Sequence, residues 1–205
     1  MPSTQLSAAA RDIPASSDLL VRAFMDDPIA VWVAPSEQQR ERALRAYFRM
    51  ALRYSINAGG RVDSGGNDLQ SAAIWLSPGR TIAGTVGLVR AGLLPLLWSL
   101  GVSGTRRFFT FANTTEKLHK EDVKGPHWYL WVLGVDPPYQ GKGVGGETMQ
   151  PVLREADVGG LSCYLETAKE RNLAFYRKHG FEVVKEQTLG TDGPIFWTML
   201  REPVR

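Results

Sequence analysis

Four glycines stand close together in the second half of the chain, after an apolar stretch and a Pro-Pro pair. They are Gly141, Gly143, Gly145 and Gly146. Glycine permits backbone conformations that a Cβ forbids, so successive amide groups can point into one small hollow at the start of a helix. Such a hollow binds phosphate, because each hydrogen bond from a backbone N–H to a charged oxygen contributes about 1.5–3 kcal/mol. This spacing predicts a site for a ligand that carries a diphosphate.

Two nucleotide-binding motifs share part of this glycine spacing. The run Gly141-x-Gly143-x-x-Gly146 matches a dinucleotide fingerprint, and Glu166 follows about 20 residues later, where a ribose-binding acid is expected. The segment after Glu166 is short for the further strand-helix units of a dinucleotide fold, which disfavours this interpretation. An ATP-binding P-loop needs a Gly-Lys-Ser/Thr sequence, and the chain has none.

The same stretch resembles the acetyl-CoA pyrophosphate motif of the GCN5-related N-acetyltransferases, the GNAT family. The matching pattern is Val135-x-Pro137-x-x-Gln140-Gly141-x-Gly143-x-Gly145. Residues 164–167 (Tyr-Leu-Glu-Thr) and 172–181 (Asn-Leu-Ala-Phe-Tyr-Arg-Lys-His-Gly-Phe) resemble the family's second cofactor motif. The two motifs have the family's order and spacing. Within the family, the second motif is most similar to the puromycin N-acetyltransferase type.

The resemblance implies acetyl-CoA as cofactor and a set of residues that bind it. Backbone groups near Leu133 and Val135 would bond the pantetheine amides, and Asn172 would bond the pantetheine arm or cap a helix. Phe175 would pack in the core or beside the adenine. The implied set is Leu133, Val135, Gln140, Gly141, Lys142, Gly143, Val144, Gly145, Gly146, Asn172, Phe175 and Tyr176.

Acetyl transfer to an amine requires an acid and a base, because an alkyl amine is protonated at neutral pH. Tyr176 matches the family's acidic tyrosine and is predicted to protonate the departing thiolate, although it could instead anchor the sulfur or pack the helix. Glu166 is the first candidate base, since nearby apolar surface would raise its pKa. His127, His119 or a chain of waters are alternatives.

Asp26 and Asp27 are candidates for binding the acceptor amine. In the GNAT family the first two helices and their junction form a wall of the acceptor pocket, and these acids precede Pro28 at such a junction. The alternative is turn chemistry, because Asp before Pro commonly ends a helix.

The wider pattern predicts an α/β fold of the GNAT type, with a mixed central sheet flanked by helices in a single domain over residues 1–205. The stretch His127–Val135 is apolar on both faces, which is typical of a central strand. Residues 82–121 predict a helical insertion with a break at Pro95, which would cap the acceptor site or pack in the core. Residues 16–18 (Ser-Ser-Asp) predict the cap of the first helix.

Composition narrows the class of protein. The chain has 205 residues, 43% hydrophobic and 22% charged, with a net charge of +3, as in soluble globular proteins. No basic run predicts nucleic-acid binding, and Arg90 and Pro95 interrupt the apolar stretch 81–100 that could otherwise resemble a membrane span. No signal peptide is visible, and a cytoplasmic location is the expectation. Neither metal binding nor an acyl-enzyme on the single cysteine, Cys163, is expected, because no ligand spacing or paired histidine occurs.

These observations predict an acetyl-CoA-dependent N-acetyltransferase. It would move an acetyl group directly to the primary amine of a small molecule within a ternary complex. A protein or peptide acceptor, or a CoA-binding regulator without catalysis, remain alternatives, and the sequence leaves open whether the chain forms a homodimer.

Overall fold

The computed structural model describes residues 10, 12–66, 69–80 and 85–204, and these contain a mixed sheet of six strands. The strands are β1 (Arg61–Gly65), β2 (Ser71–Leu76), β3 (Trp128–Val135), β4 (Cys163–Thr167), β5 (Glu182–Thr188) and β6 (Ile195–Arg201). Their order across the sheet is β1-β2-β3-β4-β6-β5. Only β3 and β4 are parallel. The predicted α/β class and mixed sheet are confirmed.

Helices cover both faces of this sheet. They are α1 (Ile13–Phe24), α2 (Pro28–Val33), α3 (Glu37–Asn57), α4 (Thr85–Ala91), α5 (Leu93–Asp122), α6 (Val144–Gly159) and α7 (Arg171–Lys178). Side chains of α1 and α3 form one buried cluster with β2 and β3, with Leu20, Phe48 and Ile74 among its members. A second cluster lies beneath α6, where Met149 and Val152 are fully buried. Within the described residues, the helices are too short or too polar to span a membrane.

The central strand β3 separates from β4 partway along its length. Antiparallel pairing with β2 extends to its last residue, Val135, whereas parallel pairing with β4 involves only the first three residues, Trp128 to Leu130. Among the described residues, the later part of β3 therefore has no strand partner on the β4 side. The strand ends before Pro137, as predicted, because proline cannot donate to the ladder.

The beginning of α1 differs from the prediction. The helix is capped by Asp12, whose Oδ1 accepts from the amide of Ala15 at 3.0 Å, and not by residues 16–18. Ser16 and Ser17 lie inside the helix and are fully buried. The predicted start of the helix was too late in the chain. Pro14 lies in the first turn, where proline is compatible with a helix, so the helix begins before Ser16 and Asp12 is the residue that caps it.

The insertion 82–121 is helical, but its break is not at Pro95. Residues 82–84 lie outside the described part, and Pro95 sits in the first turn of α5, where its missing amide costs no helical bond. The chain bends at Gly92 and again at Gly101, which has φ +62° and ψ −171°. Glycine adopts such angles readily, so glycine and not proline divides this segment.

Candidate active site

A large groove opens where β3 and β4 separate. Its volume is about 1040 Å³, and it is bounded by the end of β3, the glycine-rich loop, the start of α6 and one face of α7. All of the residues predicted to bind the cofactor line this groove except Lys142. The ammonium group of Lys142 instead lies over the ring of Tyr139, 5.6 Å from its centre.

The four glycines meet two different requirements. Gly141 and Gly143 have positive φ values of +76° and +87°, and a Cβ at either position would meet no atom within 4 Å. Gly145 and Gly146 lie in α6, where a Cβ on Gly145 would approach Val135 at 3.1 Å and one on Gly146 would approach His179 at 2.7 Å. The prediction that all four serve backbone conformation is therefore wrong for Gly145 and Gly146, which lie in the helix where their surroundings leave little room for a Cβ, least at Gly146.

The start of α6 presents free amide groups to the groove. The amide of Glu147 makes the first bond of the helix, to the carbonyl of Gly143 at 3.1 Å. The amides of Val144, Gly145 and Gly146 precede it and have no acceptor within the helix. The side chain of Gln140 donates to the carbonyl of Val135 at 3.0 Å and fastens the loop to the strand end. Open space over the glycines and free amides together fit a pyrophosphate.

A second, smaller cavity adjoins the groove. Its volume is about 160 Å³, and its walls come from α1, α2, α3, α5, α7, β3 and β4. Five residues line both spaces, so the two spaces meet at Phe24, Asp27, Leu133, Asn172 and Tyr176. A ligand in the groove and a second ligand in the cavity would therefore come into contact at this junction.

Glu166 lines the smaller cavity and has an unusual environment for a carboxylate. Its Oε2 accepts from the hydroxyl of Tyr129 at 2.8 Å, and its Oε1 is buried with no partner among the described residues. Burial raises the pKa of Glu166 to about 8, although the bond from Tyr129 acts in the opposite direction. A carboxyl group with this pKa can accept a proton near neutral pH and release it again.

Tyr176 lies at the junction of the two spaces. It is only 6% exposed. Burial raises the pKa of its hydroxyl, and the charge of Asp27 adds to that effect. The side chain is therefore a neutral phenol that keeps its proton and can donate it. Asn172, one turn earlier on α7, donates to Thr167 Oγ1 at 3.1 Å, which links α7 to the end of β4.

The two candidate acids before Pro28 have different positions. Asp27 lines both spaces and also caps α2, where its Oδ1 accepts from the amides of Ile29 at 3.0 Å and Ala30 at 3.4 Å. Burial raises the pKa of Asp27. Asp26 lines neither space. Its side chain is 71% exposed and pairs with Lys169 at 2.6 Å.

The alternative bases His119 and His127 lie away from both spaces. Their Nε2 atoms are 2.6 Å apart, and His127 Nδ1 lies 2.8 Å from the carbonyl of Gly125. His119 stacks on the ring of Tyr164, with centres 4.4 Å apart, and burial lowers its pKa to about 4. Cys163 is fully buried, and burial raises its pKa to about 12. Within the described residues, no group of three potential ligands could hold a metal.

Sequence reasoning missed most of the residues that shape the smaller cavity; an exception is Phe108, which lies in the segment 82–121 that was expected to cap the acceptor site or pack in the core. Tyr47, Phe108, Tyr129 and Trp131 all line it, yet they come from three separate elements. Tyr129 and Trp131 are two residues apart in β3 and therefore share one face of the strand. This spacing was the only sequence signal for their place in the cavity. It indicates which residues share a face, but not what packs against that face.

The comparisons with known proteins decide the family. The model of the acetyltransferase (GNAT) family matches residues 71–181, which is more than half of the chain. The chain belongs to the GNAT acetyltransferase family. It is an acyltransferase, and GNAT enzymes use acetyl-CoA as the acetyl donor. The free amides and open space above Gly141 and Gly143 fit that donor.

Relatives of this GNAT chain extend over nearly its whole length. An uncharacterised N-acetyltransferase of Schizosaccharomyces pombe is 29% identical over 203 residues, covering 95% of this chain and 81% of the relative. Solved structures with a similar fold include the following two. The histone acetyltransferase HPA2 and related acetyltransferase of Corynebacterium glutamicum has a TM-score of 0.64 at 21% identity, covering 100% of this chain and 96% of that one. Arylalkylamine N-acetyltransferase 2 of Aedes aegypti has a TM-score of 0.57 at 15% identity, covering 95% and 94%.

Proposed function

We propose that this GNAT enzyme transfers acetyl directly from acetyl-CoA to the primary amine of a small molecule within a ternary complex. One observation carries the proposal: the groove and the smaller cavity meet at Tyr176 and Asp27, and Glu166 lines the cavity. Two ligands can therefore occupy the protein together. No acyl-enzyme is needed, and the single cysteine, Cys163, is buried in its thiol form.

The groove residues would hold the donor. The amides of Val144, Gly145 and Gly146 would bind its pyrophosphate, and the backbone near Leu133 and Val135 would align its pantetheine arm. When bound, acetyl-CoA supplies an acetyl thioester, which is the activated acyl group.

Two side chains would manage the protons. Glu166 would take a proton from the acceptor ammonium, because its carboxylate, with a pKa of about 8, is a stronger base than an exposed glutamate. Tyr176 would keep its hydroxyl proton available for the departing sulfur. Asp27 would attract the ammonium to the junction of the two spaces. Tyr176 and Asp27 lie at the junction of the two spaces, and Glu166 lines the smaller cavity.

A small acceptor is favoured over a protein because of the cavity's size. A volume of about 160 Å³ suits a compact molecule, whereas a peptide acceptor would need an extended groove on this side. The resemblance to the puromycin N-acetyltransferase type is carried by the second motif alone. We also infer one domain over residues 1–205, since α1 and α3 pack on the same sheet that carries the groove.

Initial-rate kinetics test this proposal. Purified protein is mixed with acetyl-CoA and a panel of primary amines, and free CoA thiol is measured. Thiol should appear only when both substrates are present, and double-reciprocal lines should intersect, as a ternary complex requires. Parallel lines would indicate an acyl-enzyme instead. The absence of transfer to every amine, despite acetyl-CoA binding, would favour a regulator without catalysis.

A further inference from the structure

We propose that the acceptor amine carries a single aromatic ring, or an apolar body of that size, and that this ring binds among Tyr47, Phe108 and Trp131. The smaller cavity is thus a specificity pocket. This inference rests on the proposed function, since it names the class of molecule that receives the acetyl group.

A cluster of aromatic side chains forms part of the cavity wall, and aliphatic side chains form much of the rest. Tyr47 makes edge-to-face contacts with three neighbouring rings, at 5.3 Å to Phe48, 6.3 Å to Phe108 and 6.2 Å to Trp131. Phe111 also lines the space. Aromatic pairs with this geometry gain about 0.5–1.5 kcal/mol beyond the burial of their area. A ligand ring would continue the same packing, whereas a polar ligand such as a polyamine or sugar would lose hydrogen bonds to water.

The volume sets the size of the ligand. The cavity of about 160 Å³ is close to the size of a cavity of roughly 150 Å³ that binds benzene in another protein. One six-membered ring therefore fills most of the space. A fused second ring would require movement of the walls, and close-packed interiors resist such movement.

Charge gives the ligand its orientation. Asp27 caps the start of α2. At the other end of α2, the side chain of Arg40 donates to the carbonyls of Ala34 and Pro35, both at 3.0 Å. The helix has six residues, so these opposite charges are separated by roughly 9 Å along it. Both side chains line the cavity, and only Asp27 also lines the groove. An ammonium group is therefore attracted to the acidic end, beside the groove, while the apolar body points away from it.

The first test compares acceptors. The rate of thiol release is measured as kcat/KM for 2-phenylethylamine, 2-(1-naphthyl)ethylamine, ethylamine, spermidine and a short lysine peptide. We expect 2-phenylethylamine to exceed ethylamine at least about 10-fold, because the ring fills the pocket. The naphthyl amine should be slower than the phenyl amine. Binding is checked without turnover by the melting shift that 2-phenylethylamine produces in the presence of CoA.

The second test changes the pocket. Phe108→Ala should enlarge the cavity and raise the rate with the naphthyl amine relative to the phenyl amine. Phe109→Ala is the matched control, since Phe109 is the next residue on α5, is 41% exposed and does not line the cavity. The control should keep the wild-type ratio. If acetyl-CoA no longer shifts the melting of Phe108→Ala, Phe111→Leu replaces it.

The outcomes separate the two proposals. Efficient transfer to spermidine or the peptide, with 2-phenylethylamine no better than ethylamine, would overturn the aromatic pocket and leave the proposed function intact. An unchanged naphthyl-to-phenyl ratio in a folded pocket variant would also overturn it. Failure of every amine to react would contradict the proposed function itself.

Discussion

Glu166 has one carboxyl oxygen bonded to Tyr129 and the other buried without a partner among the described residues. Water would normally stabilise the charged form of such a group, and its removal raises the pKa of Glu166 to about 8. The same burial keeps Tyr176 protonated. Two groups that line the same cavity thereby have complementary protonation states: Glu166 can gain a proton near neutral pH, and Tyr176 retains one. This difference is the basis for assigning base and acid.

The pH dependence of activity follows from Glu166. We expect kcat/KM to rise with pH and to level off above about 8, because only the carboxylate accepts a proton. Glu166→Gln should lower the rate about 10²–10⁴-fold and remove that limb from the profile. A profile of unchanged shape in Glu166→Gln would mean that another group is the base.

Glu166 also links stability to pH with a definite sign. Because its pKa in the folded protein is raised, the stability gained by keeping the carboxyl protonated is fully present below about pH 4.5 and is lost as the pH rises through about 8. The melting temperature of wild type, relative to that of Glu166→Gln, should therefore decrease as the pH rises from about 4.5 to about 8. Melting curves at pH 5, 7 and 9 measure it, and a constant difference would show that the carboxyl is not buried as described.

Tyr176→Phe separates acid catalysis from packing. The substitution keeps the buried ring and removes only the hydroxyl, so the melting temperature should change little. If Tyr176 donates the proton, kcat should fall about 10²–10⁴-fold while the affinity for acetyl-CoA stays near that of wild type. Unchanged kcat would show that the side chain serves packing alone.

At the scale of elements, the glycine-rich loop and α6 form one unit with two separate demands. Gly143 begins α6 with a positive φ, whereas Gly146 lets the first turn of the helix approach His179. The requirement at Gly143 is conformational, so a substitution elsewhere cannot remove the strain that a Cβ would cause there. The requirement at Gly146 is steric, and a smaller neighbour relieves it.

Double substitutions distinguish these demands. Gly143→Ala and Gly146→Ala should each lower the melting temperature, because the first places a non-glycine residue at φ +87° and the second puts a Cβ 2.7 Å from His179. In the His179→Ala background, Gly146→Ala should cost little, while Gly143→Ala should cost as much as before. Equal costs in both backgrounds for Gly146→Ala would contradict the packing explanation.

At the scale of the whole molecule, the sequence predicted the cofactor side better than the acceptor side. The glycine loop, the stop after Val135 and the start of α7 are local patterns, and the structure shows them at the predicted places. The junction of the groove with the cavity depends on packing between α1, α3, α5 and β3, which are far apart in the chain. Local spacing carries no information about such contacts, and so Tyr47 and Trp131 were missed.

The errors have the same origin. Pro95 was expected to break a helix, but its position in the first turn removes the cost, and this position depends on where Gly92 begins the helix. Asp26 and Asp27 are adjacent in sequence, yet only Asp27 reaches the two spaces, because it caps α2 while Asp26 pairs with Lys169 at the surface. Such distinctions follow from the exact start of a helix, which sequence patterns locate poorly.

The central claim is that the groove beside Gly141 and Gly143 binds acetyl-CoA, and thermal unfolding with added ligand tests it most directly. Acetyl-CoA at about 100 times its dissociation constant should stabilise the protein by about 2.7 kcal/mol, with a similar shift from CoA and none from NADH. The stabilisation should be much smaller in Gly143→Ala at the same ligand concentration. A shift by NADH without one by acetyl-CoA, or an undiminished shift in Gly143→Ala, would contradict the account.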